Sequence, residues 1–120
     1  MNAEAVIQSF GDARPIRDKI ITDRVAITRD TFRGVANCEG VRFSSFMATC
    51  TCFDKPVTFA NCQFDNSDFY ATYFIKGLTV ADCIVKDRLL FQSGGHNHQE
   101  MPMAITNTVL FLLWTLKIAG

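Results

Sequence analysis

The apolar positions of this chain recur at an interval that suits neither a helix nor an ordinary strand. In residues 57–76, VTFANCQFDNSDFYATYFIK, Phe59, Phe64, Phe69 and Phe74 fall five apart. Two residues before each Phe sits Val57, Cys62, Ser67 or Thr72, all small or β-branched. An amphipathic helix repeats at about 3.6 residues and a half-buried strand at about two. A five-residue period arises if each unit forms one short side of a polygonal coil. The middle residue of the unit and the residue two before it then point inward, as alternate strand residues do.

Four units and one extra residue make a coil of 21, and the frame extends both ways from residues 57–76 to 15–34, 36–55, 78–97 and 99–118. Pro56 and Gly77 stand at equivalent places and mark a corner. Eight of the 11 Phe occupy the middle position: Phe32, Phe43, Phe53, Phe59, Phe64, Phe69, Phe74 and Phe111. The frame stacks Ile20, Val41, Cys62, Cys83 and Ala104 in one inward ladder, and Phe32, Phe53 and Phe74 in another. Like residues repeating at the strand spacing of about 4.8 Å would fill a solenoid core. Three residues resist the frame. Arg17, Asp30 and Arg88 fall at inward positions. A one-residue slip would turn Leu89 and Phe91 inward and put Arg88 in a bulge. Gly94 and Gly95 break the pattern, and a loop is expected around Ser93–Pro102.

The expected fold is therefore all-β: a parallel β-helix of about five 21-residue coils with a short N-terminal cap. Residues 1–14 form the cap segment, with Ala3, Ala5, Val6 and Phe10 packing over the first coil as a helix or strand. Residues 15–120 form the β-helix domain, and 99–120 its last coil.

The units resemble those of the pentapeptide-repeat family, in which a small residue, Asp or Asn, and Leu or Phe precede two variable residues. Ser67-Asp68-Phe69 fits well and Ala36-Asn37-Cys38 in part; Cys62-Gln63-Phe64 and Val57-Thr58-Phe59 are looser variants. The resemblance covers residues 20–92, and 99–119 by frame alone. It departs in its many Thr, Arg and Ile residues and in the extra residue of each coil. What it implies is a right-handed quadrilateral β-helix.

Charge and cysteine content narrow the function classes. Twelve basic and 12 acidic residues cancel. That balance argues against a nucleic-acid binder, which usually carries a basic excess. The five cysteines, Cys38, Cys50, Cys52, Cys62 and Cys83, make no CxxC pair and no disulfide framework. Cys62 and Cys83 share a ladder and are expected as small apolar fillers, with a redox pair or soft-metal site as the alternative. The opening MNAEAVIQSFGDAR lacks the basic start and apolar run of a signal peptide, and a cytoplasmic location is expected. VLFLLW, residues 109–114, is too short to span a membrane.

No catalytic triad, phosphate-cradling loop or nucleotide fingerprint occurs, and neither an enzymatic activity nor a cofactor is expected. His96 and His98 with Glu100 form the most metal-like group, but a closed zinc site needs four ligands, so an exposed polar loop is the expectation. The expected function is a non-catalytic scaffold or protein-interaction module, a homodimer or higher homo-oligomer joined through the C-terminal coil. Its interface would use Ile84, Leu89, Ile105, Leu110, Leu112, Trp114 and Leu116, with Ile84 stacked under Ile105 and Leu89 under Leu110. The alternative for residues 104–118 is a helix folded back as a cap. Some members of the resembled family mimic DNA and inhibit a type II topoisomerase. That reading is an alternative here, and Lys55, Lys76, Lys86 and Arg88 interrupt the acidic stripe it needs. A metal-dependent enzyme built on residues 96–100 is the remaining alternative.

Overall fold

The computed structural model of the chain describes residues 1–92 and the strands at 103–106, 109–110 and 116–118, with side chains described as far as Phe91. It is a parallel β-solenoid of about four turns behind one short helix. Helix α1 spans Ala3–Gly11. The first turn holds β1 (Ile16–Arg17), β2 (Ile20–Thr28) and β3 (Thr31–Phe32); the second holds β4 (Ala36–Glu39), β5 (Arg42–Thr49) and β6 (Cys52–Phe53). The third holds β7 (Val57–Ala60), β8 (Gln63–Tyr70) and β9 (Tyr73–Phe74), and the fourth β10 (Leu78–Ala81) and β11 (Ile84–Gln92). Beyond them lie β12 (Met103–Thr106), β13 (Val109–Leu110) and β14 (Leu116–Ile118). The strands form three parallel sheets, β1-β4-β7-β10-β12, β2-β5-β8-β11-β13 and β3-β6-β9; each of the first three turns adds one strand to all three, and β14 also pairs with β11.

The core is the five-residue pattern made solid. In the second and third turns all 16 inward positions of the frame are buried, from Ala36 and Cys38 through Thr72 and Phe74. The rings stack between turns: Phe43 on Phe64 at 5.6 Å, Phe53 between Phe32 and Phe74 at 5.2 and 5.5 Å. Volume is conserved where identity is not. Phe46 with Ala48 in one turn faces Ser67 with Phe69 in the next, so a large and a small residue exchange places. That exchange keeps the interior filled at constant strand spacing.

Corners are made by single residues in the left-handed region. Asp18, Gly40, Asn61 and Asp82 take it at one corner, and Arg29, Cys50 and Ala71 at another. Gly, Asn and Asp enter this region at least cost. The amides of these corner residues point along the rod. Gly40 donates to the Ala60 carbonyl, Asn61 to Ala81 and Cys50 to Tyr70, each at 3.0 Å. The expected corner at Pro56 and Gly77 is present, where Val57 donates to the Gly77 carbonyl at 3.1 Å.

The frame needs correction at both ends. Up to a bulge in which Thr22 and Asp23 together face Ser44, the first turn runs 22 residues behind the second, and 21 after it. Ile16 and Ile21 therefore turn inward in place of Arg17 and Ile20, and Ile20 is 66% exposed. The matching bulge in the fourth turn is Lys86 and Asp87 opposite Asp65. It turns Leu89 and Phe91 into the core and leaves Arg88 outside. Asp30, expected inward, is also exposed. After this turn the 21-residue spacing is lost. Val80 pairs with Ile105, Ile84 with Val109 and Leu89 with Leu116, so neither Ile84–Ile105 nor Leu89–Leu110 stacks. The regular turns thus number about four and not five, and residues 103–106 are strand rather than capping helix.

Helix α1 closes the first turn. Asn2 caps it by accepting the Ala5 amide at 2.8 Å. Val6 and Phe10, four apart, form its buried stripe. The Phe10 ring meets Phe32, Phe46 and Phe53 edge-on at 5.8 to 6.1 Å. Asp23, presented by the first bulge, accepts the Ala3 amide at 3.0 Å.

A β-carbon at Gly40 would be held at φ +65°, and its nearest neighbour, Asp18 Oδ1, would lie 2.5 Å away. Gly40→Ala should cost about 1–2 kcal/mol, mostly backbone strain that no side-chain movement relieves. Ala71→Gly relieves the same strain at the other corner and should lose much less or gain, because glycine also loosens the unfolded chain. Urea titration of both variants, read as a shift in midpoint at constant slope, checks the difference.

Candidate functional surface

The interior polar groups serve the corners. Each small residue that follows a left-handed corner sends its side chain back to the carbonyl two residues earlier. Thr51 donates to Thr49 at 3.1 Å, Thr72 to Tyr70 at 3.4 Å, Cys62 to Ala60 at 3.3 Å and Cys83 to Ala81 at 3.3 Å. Three of them also reach the neighbouring turn: Thr72 to the Ala48 carbonyl at 2.8 Å, Cys62 to Cys38 at 3.5 Å and Cys83 to Phe59 at 3.4 Å. A hydroxyl or thiol here supplies a donor where the turn bends a carbonyl into a dry interior. The stacked cysteines of the sequence are thus hydrogen-bonding fillers.

The directions of their pKa shifts follow from burial and from these contacts. Burial pushes the Cys38 thiol up to about 12. Cys62 is raised by its hydrogen bond toward Cys83 and by burial, while Cys83 is lowered by receiving that same bond. Cys52, half-buried on the outside, is raised to about 11 by burial and by Asp54, whose Oδ1 lies 3.3 Å from its sulfur. Cys50 is the exposed thiol among the five.

Outside, the acids and bases neutralise one another locally. Arg42 pairs with Asp65 at 3.1 Å, and Gln63 donates to the other oxygen of Asp65 at 2.9 Å. Arg33 lies 3.7 Å from Asp54 and Arg14 3.1 Å from Asp12. Arg88 donates to Asn66 at 2.7 Å. Asp68 stands between Met47 and Leu90 on the outer face of β8, and one of its oxygens is buried without a partner among the described residues. Burial raises its carboxyl, and the nearby Arg88 opposes the shift. Among the described residues no group of three or more His, Cys, Asp or Glu side chains could hold a metal ion, and no helix is long and apolar enough to cross a membrane.

The expected interface residues separate. Ile84 points outward and is 36% exposed. Leu89 is fully buried and belongs to the core, because the Lys86–Asp87 bulge reverses the side-chain alternation. Ile105, Leu110 and Leu116 lie on β12, β13 and β14. Leu112, Trp114 and the group His96, His98 and Glu100 lie outside the described residues. The pattern of apolar positions did not reveal Asp23 as the anchor of α1. The one signal is a repeated Asp-Arg pair, Asp23-Arg24 and Asp87-Arg88, which marks both bulges.

The two ends of the solenoid differ. At the first turn α1 lies across β2 and plugs the core. At the other end β12 and β13 are the outermost strands of their sheets among the described residues, and β14 pairs only with β11. Comparison of the chain with protein-family models, with curated proteins and with solved structures found no match.

Ser67 and Thr72 make opposite use of a buried hydroxyl, which gives a test with two signs. The Ser67 hydroxyl has no partner among the described residues, and it occupies a ladder between Phe46 and Leu89 that needs a small residue. Ser67→Ala should be neutral or stabilise by up to about 1 kcal/mol, whereas Thr72→Val removes a donor to Ala48 and should cost about 1 kcal/mol or more. Thermal denaturation of the two variants gives the comparison.

Proposed function

We propose that this chain is a non-enzymatic scaffold or interaction module, related in design to the pentapeptide-repeat solenoids, that works as a homo-oligomer joined through its C-terminal end. The observation that carries the reading is the unequal treatment of the two ends. The first turn is sealed by α1, with Val6 and Phe10 buried. The strands β12, β13 and β14 have a partner on one side only among the described residues. A row of unpaired amides and carbonyls at a sheet edge recruits another strand unless it is blocked. The sequence around it, VLFLLW at 109–114, supplies apolar rather than charged residues. Such a segment favours burial against a protein over exposure to water. The local neutralisation of Asp65 by Arg42 and of Asp54 by Arg33 also suits a surface that displays no single strong charge.

Size-exclusion chromatography with light scattering tests the reading. The native chain should run as a dimer or larger at micromolar concentration, and a monomer there overturns it. Leu110→Asp should shift the assembly to monomer with an unchanged circular-dichroism spectrum. Ile84→Asp, an outward site on β11, provides a second variant whose fold does not depend on the last strands.

A further inference from the structure

We propose that Arg24, Ser45, Asn66 and Arg88, stacked in one column on the outside of the solenoid, form a binding site for a diphosphate group. The site lies within the four regular turns and does not depend on the association proposed above.

Strand register sets the column. Arg24 of β2 pairs with Ser45 of β5, and Arg88 of β11 with Asn66 of β8. Ser45 and Asn66 share the column, between the pairs Phe43–Phe64 and Phe46–Ser67. The next residue in each strand, Val25, Phe46, Ser67 or Leu89, is buried, so the four side chains of the column face outward. Both arginines are exposed, and Ser45 and Asn66 are half-buried. One arginine follows each bulge, Thr22–Asp23 or Lys86–Asp87, so the column begins and ends on a guanidinium. Three strand spacings separate the two backbones, about 14 Å.

The two side chains reach toward one another across that interval. Arg24 Nη2 lies 3.1 Å from Met47 Sδ in the second turn, and Arg88 Nε donates to Asn66 Oδ1 in the third at 2.7 Å. Their heads thus lie over adjacent turns, about one strand spacing of 4.8 Å apart along the rod. Two linked phosphoryl groups can meet one head each, whereas a single phosphate engages one of them fully. Neither guanidinium has a carboxylate within ion-pair distance among the described residues. A thioether and an amide oxygen are uncharged acceptors and leave most of the N–H donors free. Guanidinium groups bind phosphate oxygens through paired, charge-assisted hydrogen bonds. Arg88 also prepares Asn66: with Oδ1 occupied, the Nδ2 donors are left for a ligand. Ser45 adds a hydroxyl with no protein partner among the described residues.

Most acids beside the column are engaged or offset. Asp65 accepts from Arg42 and Gln63, and Asp23 from the Ala3 amide. Lys86 accompanies Asp87 in the second bulge. Asp68 is the opposing charge, two residues beyond Asn66 on the same outer face and between Met47 and Leu90. Burial raises its carboxyl, and Arg88 counters the rise. Its carboxylate repels an incoming anion, and removing that charge strengthens the site.

Titration calorimetry on the full-length chain with inorganic pyrophosphate, at fixed ionic strength in metal-free buffer, tests the site. Pyrophosphate should bind saturably, and inorganic phosphate more weakly. Arg24→Gln and Arg88→Gln should each weaken binding about tenfold or more, since each removes a charged donor. Asp68→Asn should tighten it. Arg29→Gln, at an exposed arginine outside the column, should leave it unchanged. Absence of saturable binding to the native chain overturns the proposal. So does an equal loss in all three arginine variants, which would mean attraction by basic charge alone. Inorganic phosphate binding as tightly as pyrophosphate overturns the two-headed geometry.

Discussion

Everything in this molecule follows from a demand that each turn return to its starting point one strand spacing higher. The backbone amides of one turn are satisfied by carbonyls of the turns on either side, Asn61 donating to Ala81 of the next and Gln63 to Val41 of the one before, so the path length of a turn and the place of its corners are fixed together. The left-handed residues meet that demand. They bend the chain in one residue and aim the corner amide along the rod, as Gly40, Cys50 and Asn61 do. The carbonyl that the bend turns inward is then met by a Thr hydroxyl or a Cys thiol. Phenylalanine fills what remains, in ladders whose rings lie 5.1 to 5.6 Å apart.

Most of this was legible in the sequence because the constraint repeats. Phe59, Phe64, Phe69 and Phe74 announce the side length, and Pro56 and Gly77 announce a corner. In the second and third turns the frame places every inward residue correctly. The cysteine ladder was readable as filler, although its hydrogen bonds to the corner carbonyls were not. Those depend on which side of a bend a carbonyl faces, and spacing alone does not carry that.

The sequence failed where the repeat is broken to make an end. A bulge adds one residue without changing composition, so Ile20 reads as core and Ile16 does not, until Asp23 is seen to hold α1. The same device at Lys86–Asp87 turns Leu89 and Phe91 inward, as the one-residue slip considered for Arg88 anticipates, and so takes Leu89 out of the expected interface. Beyond Gln92 the register shifts by several residues, and stacking inferred from a fixed period no longer applies. The C-terminal end was therefore the least legible part, because ends are where a solenoid stops obeying its own rule.

The central claim is that the corners, and not only the strands, are bonded from turn to turn. Amide hydrogen exchange resolved residue by residue tests it most directly. The amides of Gly40, Cys50 and Asn61 should be as protected as those of the strands beside them, since each is held by a carbonyl of the next turn at 3.0 Å. Exchange of these three at the rate of an open loop, beside protected strands, would contradict the account.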